Sequence, residues 1–84
     1  MDKNINILVV EDDNHINDML SKLVEKKGYN VIKAYSGTEA LIYIKSEELH
    51  LVLLDLMLPG IGGEELLKKI REVKQMPIIV ISAK

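Results

Sequence analysis

The sequence predicts an α/β protein built on a four-stranded parallel sheet with strand order 2-1-3-4. Three observations carry this reading. Ile7-Leu8-Val9-Val10, Leu51-Val52-Leu53-Leu54 and Ile78-Ile79-Val80-Ile81 are unbroken apolar runs without the alternation of a half-exposed strand, as strands covered on both faces require. Segments with helical spacing of apolar residues lie between the strands, giving βαβαβαβ. The first two runs stop at carboxylates, Glu11-Asp12-Asp13 and Asp55, and the third stops at the hydroxyl of Ser82. The carboxyl ends of the strands are where open α/β sheets bind ligands. The strand order follows from placing the fully apolar strands one and three at the centre and making every crossover right-handed.

The first strand reads Ile5 to Val10. Asp13 or Asn14 caps the helix that follows, and Ile16, Met19, Leu20, Leu23 and Val24 form its apolar stripe. Lys26 and Lys27 fall in its last turn, with Gly28 beyond. Tyr29 to Ala34 is a more polar strand, as suits a sheet edge. Ser36-Gly37-Thr38-Glu39 has the form of a capping box, opening a helix that buries Ala40, Leu41 and Ile44. Leu49 to Leu54 is the third strand, and Leu58 to Gly63 is a turn-rich loop. The third helix runs from about Glu64 to Val73, with Leu66, Leu67, Ile70 and Val73 on one face. Pro77 opens the fourth strand, where a missing N–H is tolerated.

Composition narrows the function classes. The chain has 84 residues, one domain's worth, with 11 basic and 13 acidic residues and a net charge of −2. Neither a nucleic-acid footprint nor a polybasic membrane patch stands out. Cysteine is absent, which removes disulfides, zinc thiolates and cysteine nucleophiles. No apolar stretch approaches transmembrane length and none has signal-peptide form, so a soluble, cytoplasmic protein without membrane contact is expected. G-x-G-x-x-G and Walker patterns do not occur. His15 and His50 have no second ligand at a recognisable spacing and read as a surface helix residue and a strand-entry residue. Met19, Met57 and Met76 read as packing residues, and the lysines at 26, 27, 68 and 69 as solvated helix faces.

With the strands parallel and adjacent, Glu11, Asp12 and Asp55 converge on one patch. Uncompensated carboxylates that close raise each other's pKa, so a cation is expected among them. Oxygen donors of this kind suit Mg²⁺, which takes one or two carboxylates together with waters and phosphate oxygens. Asp12 and Asp55 are the candidate ligands. Asp55, single and central, is the better nucleophile, able to form an acyl phosphate. Ser82 at the neighbouring strand end is placed to donate a hydrogen bond to a phosphoryl oxygen. Asp13 reads as the helix cap.

These segments resemble the receiver domain of bacterial two-component response regulators. The resemblance rests on Ile7 to Asp13, on Leu53-Leu54-Asp55-Leu56-Met57-Leu58-Pro59-Gly60, and on Pro77 to Ala83, in the right order and spacing, and it covers the whole chain. It implies a flavodoxin-like, CheY-like sheet and a phosphoacceptor signalling module, not an enzyme. Asp55 would take a phosphoryl group from a sensor histidine kinase with Mg²⁺. By position, Asp12 resembles the direct metal ligand, Glu11 the acid that holds the metal through water, and Met57 the residue giving its backbone carbonyl to the metal. Ser82 matches the switch Ser/Thr, and Ala83 the small residue beside the phosphoryl group.

Two departures bear on the transfer. Gly62 stands where many relatives have aspartate. The family's fifth strand and helices four and five have no counterpart in residues 1–84, nor has the lysine that follows the fifth strand; Lys84 follows strand four. The chain therefore reads as the N-terminal portion of a receiver, incomplete after strand four, with slow or undetectable phosphorylation expected of this fragment. The uncovered strand-four edge and face imply a homodimer or larger assembly. Two other functions compete: a folded interaction fragment without phosphorylation chemistry, and a Mg²⁺-dependent phosphatase of the haloacid-dehalogenase type. The latter resembles its family less well, because Met57 stands where those enzymes have a second aspartate.

Overall fold

The computed structural model describes residues 5–81. Seven elements alternate along the chain: β1 (Asn6–Val10), α1 (Asn14–Lys26), β2 (Asn30–Ala34), α2 (Gly37–Ser46), β3 (Leu51–Leu54), α3 (Gly63–Val73) and β4 (Ile78–Val80). The strands form one parallel sheet in the order β2-β1-β3-β4, as expected. In register, Val9 pairs with Leu53 and Leu53 with Ile79, while Val10 pairs with Leu54 and Leu54 with Val80. Each set shares one face of the sheet.

The main core lies on the face covered by α2 and α3. Leu8, Val10, Val52 and Leu54 meet Ala40 and Ile44 of α2 and Leu66 and Ile70 of α3, with Leu49, Leu58 and Met76 closing the periphery. Leu41 and Leu67 are only partly buried, and Val73 is exposed. Met76 packs as read from the sequence, whereas Met19 and Met57 are exposed and do not pack.

The caps explain where the helices start. Asp13 Oδ1 accepts from the Ile16 N–H at 3.0 Å, and Ser36 Oγ accepts from the Glu39 N–H at 3.1 Å. The return bond of the expected capping box is displaced by one residue: Glu39 Oε1 accepts from the Tyr35 N–H at 2.8 Å. His50 does stand at strand entry, where its Nδ1 accepts from the Asn6 N–H at 3.0 Å.

Helix α1 is turned from the expected orientation. Its buried residues are Asn17 and Ser21, while Ile16, Met19 and Leu23 are 39%, 55% and 54% exposed. The cause is polar. The Asn17 Nδ2 donates to the backbone oxygens of Glu11 and Ala34 at 3.0 and 3.2 Å, and Ser21 Oγ donates to Asn17 Oδ1 at 3.1 Å. The Glu11 carbonyl needs a partner when buried; asparagine supplies it where leucine would not, and adds a second donor to the Ala34 carbonyl, which also accepts from the Glu11 N–H. Asp18, on the next position round the helix, pairs with Lys33 of β2 at 2.7 Å. That fixes one flank of α1 toward the β2 edge. The apolar flank, on the other side of the helix, faces the β3 and β4 side.

Candidate functional site

The ends of β1 and β3 deliver three carboxylates to one point. The backbone builds this with three bonds: Glu11 N–H to the Ala34 oxygen at 3.0 Å, Asp55 N–H to the Val10 oxygen at 3.1 Å and Ile81 N–H to the Leu54 oxygen at 2.8 Å. These continue the sheet ladder one residue past each strand, so the acids begin where the apolar runs end. One carboxylate oxygen from each of Glu11, Asp12 and Asp55 lies within 4.8 Å of the others. Glu11 and Asp55 are buried and Asp12 is exposed, so the cluster has two walls and an open side.

Two short loops hold the carboxylates. Glu11 Oε2 accepts from the Asp13 N–H at 3.0 Å, and Asp55 Oδ1 accepts from the Met57 N–H at 2.9 Å. Burial pushes the Glu11 carboxyl above its ordinary value, and the neighbouring Asp55 and Asp12 carboxyls raise it further; the Asp13 N–H works in the opposite direction. A buried acid raised in this way by burial and by neighbouring carboxyls fits a hard divalent cation beside it, which offsets the repulsion and takes oxygen ligands. The donor set therefore suits Mg²⁺. Met57 is 63% exposed, so its side chain contributes nothing to the patch, leaving its backbone as the part that can.

Asp12, Asp55 and Glu11 are brought together as the sequence indicated, and Asp13 is the cap. Ser82 and Ala83, the expected phosphoryl contacts, lie outside the described residues. Sequence reasoning missed Asn17 and Ser21, which form a buried polar strut under the Glu11 carbonyl. Their signal was present: two small polar residues one turn apart, beside the apolar stripe of a predicted helix.

A sequence model of the response regulator receiver domain matches residues 7–84. Among solved structures, a CheY-like receiver domain protein from Methanospirillum hungatei JF-1 superposes with a TM-score of 0.93 at 34% identity; the match covers 96% of this chain and 66% of that one. The response regulator TrrA from Thermotoga maritima, in complex with Mg²⁺ and BeF, matches with a TM-score of 0.90 at 37% identity over 95% of this chain and 70% of its own. The same regulator bound to the histidine kinase ThkA matches with a TM-score of 0.88 at 38% identity, covering 94% of this chain and 69% of that one. The chain belongs to the response regulator receiver domain family, with the CheY-like, flavodoxin-like sheet of that family. It spans about two thirds of the length of these structures. No helix among the described residues is long and apolar enough to cross a membrane.

Proposed function

We propose that residues 1–84 are a receiver segment in which Asp55 accepts a phosphoryl group from a sensor histidine kinase, with Mg²⁺ held by Asp12, Asp55 and the Met57 carbonyl. The observation that carries this is the approach of Glu11, Asp12 and Asp55 within 4.8 Å at the strand ends. The relatives support it, since one was solved with Mg²⁺ and BeF and one with a histidine kinase.

The chemistry follows from the placement. The Met57 N–H holds Asp55 Oδ1, leaving the other carboxylate oxygen to attack phosphorus. The new P–O bond forms as the P–N bond of the phosphohistidine breaks, and the leaving imidazole nitrogen takes up a proton from solvent. Mg²⁺ bound here supplies neutralisation of the negative charge gathered by carboxylates and phosphoryl oxygens. Glu11, buried beside Asp55, would orient water around such an ion, the role its position in the family implies. By sequence position in the family, Ser82 is proposed as the hydroxyl donor to the phosphoryl group and Ala83 as the small residue beside it. The segment acts as a signalling module and not as a turnover enzyme: Met57 occupies the position where a phosphatase of the haloacid-dehalogenase type needs its general acid.

The test is phosphorylation with acetyl phosphate or a histidine kinase, read by intact mass and peptide mapping. One phosphoryl group on Asp55, absent in Asp55→Asn and without Mg²⁺, is the expected result. Labelling elsewhere, or undiminished in Asp55→Asn, overturns the assignment. We further propose that this polypeptide associates with a second copy through the β4 edge and the apolar surface beside it.

A further inference from the structure

We infer that Gly63 and Gly37 are positioning residues for the candidate site, clamping the loop between β3 and α3 so that the Met57 peptide is held against Asp55; the consequence for metal binding rests on the reading of the site proposed above. The loop leaves β3 at Asp55 and returns to begin α3 at Gly63, and each end of its path lies so close to a glycine that an added Cβ would force the neighbour to move. At its base, a Cβ on Gly63 would overlap the Leu56 Cα and stand 2.6 Å from Leu56 Cδ2 and 2.8 Å from Leu56 Cβ. The obstacle is main chain, one residue after Asp55 and one before Met57, and it has nowhere to swing. Near the far end of the loop, Ile61 lays its Cγ2 methyl in the space a Cβ on Gly37 would occupy, with Leu66 Cδ2 at 3.6 Å from that point. Both glycines are buried, Gly37 in the first turn of α2 and Gly63 in that of α3.

Between these two contacts lies the Met57 peptide. Its N–H donates to Asp55 Oδ1 at 2.9 Å, and its carbonyl is the oxygen assigned to the metal. A loop pushed away at Leu56 or Ile61 carries both groups with it. Displacement of groups that orient a metal ligand costs about tenfold to a hundredfold in affinity. Gly62 is the internal control: it is exposed, its φ of −68° is open to any residue, and nothing lies within 4 Å of a Cβ placed there.

Two readouts test this on the 84-residue chain. The first is hydrogen exchange of the Met57 amide relative to strand amides such as Leu53. The second is the Mg²⁺ dissociation constant, followed by amide shifts. Gly63→Ala should lose Met57 protection while Leu53 keeps its own, and bind Mg²⁺ at least about tenfold more weakly. Gly62→Ala should match the wild type in both. Gly37→Ala should weaken both, and adding Ile61→Ala should restore them, because the remaining Ile61 Cβ would stand 3.6 Å from the new methyl, an ordinary contact. Should Gly63→Ala fail to fold, the Gly37 and Ile61 pair decides the matter alone. Unchanged Met57 exchange in Gly63→Ala and Gly37→Ala, or no restoration in the double variant, overturns the clamp. Absence of Mg²⁺ binding in the wild type would instead refute the metal assignment, and the clamp would then be judged on Met57 exchange.

Discussion

At the scale of single residues, the site sets anions against stability. Glu11 is buried beside Asp55 and its carboxyl is raised, so in the metal-free protein this charge is held at a cost. Replacing it by Gln keeps an oxygen to accept the Asp13 N–H and removes the repulsion. Glu11→Gln is therefore expected to raise the melting temperature of the metal-free chain at neutral pH and to weaken Mg²⁺ binding. Calorimetry with and without Mg²⁺ checks both, and a lower melting temperature without metal would contradict the electrostatic account. Asp12 is exposed and costs the metal-free fold little, so Asp12→Ala should abolish Mg²⁺ binding and Mg²⁺-dependent labelling while leaving the melting transition nearly unchanged. An unaltered Mg²⁺ titration would remove Asp12 from the ligand set. All three acids were legible in the sequence because Glu11 and Asp55 stand directly after unbroken apolar runs that read as buried strands, and Asp12 is the next residue after Glu11. The glycines were only half legible. Leu58 to Gly63 announces a turn, but nothing in the letters says that Gly63 meets the Leu56 main chain while Gly62 meets nothing.

At the scale of elements, α1 separates pattern from packing. Its stripe of Ile16, Met19, Leu20, Leu23 and Val24 identifies a helix correctly and its covered face in part: Leu20 and Val24 are half-buried, whereas Ile16, Met19 and Leu23 are exposed. Periodicity registers which side is apolar. It cannot register strand-end carbonyls that accept from a side-chain amide, and those bonds go with the inward turn of Asn17 and Ser21. The two readings predict opposite mutational outcomes. Asn17→Ala takes the side-chain donor from the Glu11 carbonyl and the acceptor from the buried Ser21 hydroxyl, and should cost about 1–3 kcal/mol. Met19→Ala and Leu23→Ala, at exposed positions, should each fall within about 0.5 kcal/mol of wild type in the monomer. Urea denaturation below the concentration of self-association measures all three, and the reverse ranking would restore the simple amphipathic picture. The ion pair joining α1 to β2 adds a pH signature. Lys33, hydrogen-bonded at 2.7 Å, lowers the Asp18 carboxyl, and Asp18 in turn raises the Lys33 ammonium. A depressed carboxyl contributes stability above its unfolded range that is lost as pH falls through the folded value. A raised ammonium contributes stability that is lost as pH climbs through its own folded value. The deficit of Asp18→Asn should therefore be present at neutral pH and vanish in acid, and it should be small because both side chains are substantially exposed. A deficit that persists below the carboxylate range would assign the effect to packing.

At the scale of the whole molecule, sheet order and helix orientation together determine the open surface. The order β2-β1-β3-β4 leaves β4 with a partner on one side only among the described residues. Its edge presents N–H and C=O groups flanked by apolar side chains, with no lysine or bulge among Ile78 to Val80 to discourage pairing. On the face shared with α1, Leu51 and Leu53 are half-buried and Ile79 is 50% exposed. The turn of α1 extends this surface, since Ile16, Met19 and Leu23 lie on the flank that faces β3 and β4. What the sequence presents as one buried stripe and two covered strands is thus a single apolar surface with a strand edge beside it. The second copy proposed above would meet this surface about a two-fold axis, which would place the same apolar patch on both sides of the contact and let two β4 edges pair antiparallel. The 84-residue polypeptide should then sediment as a dimer or larger species at micromolar concentration. Ile79→Lys, which puts a charge at the strand edge, should shift it to monomer without loss of Mg²⁺ binding, because the carboxylates lie at the ends of β1 and β3. A compact wild-type monomer that binds no hydrophobic dye would show that the surface is closed by rearrangement within one chain, and would count decisively against assembly through β4.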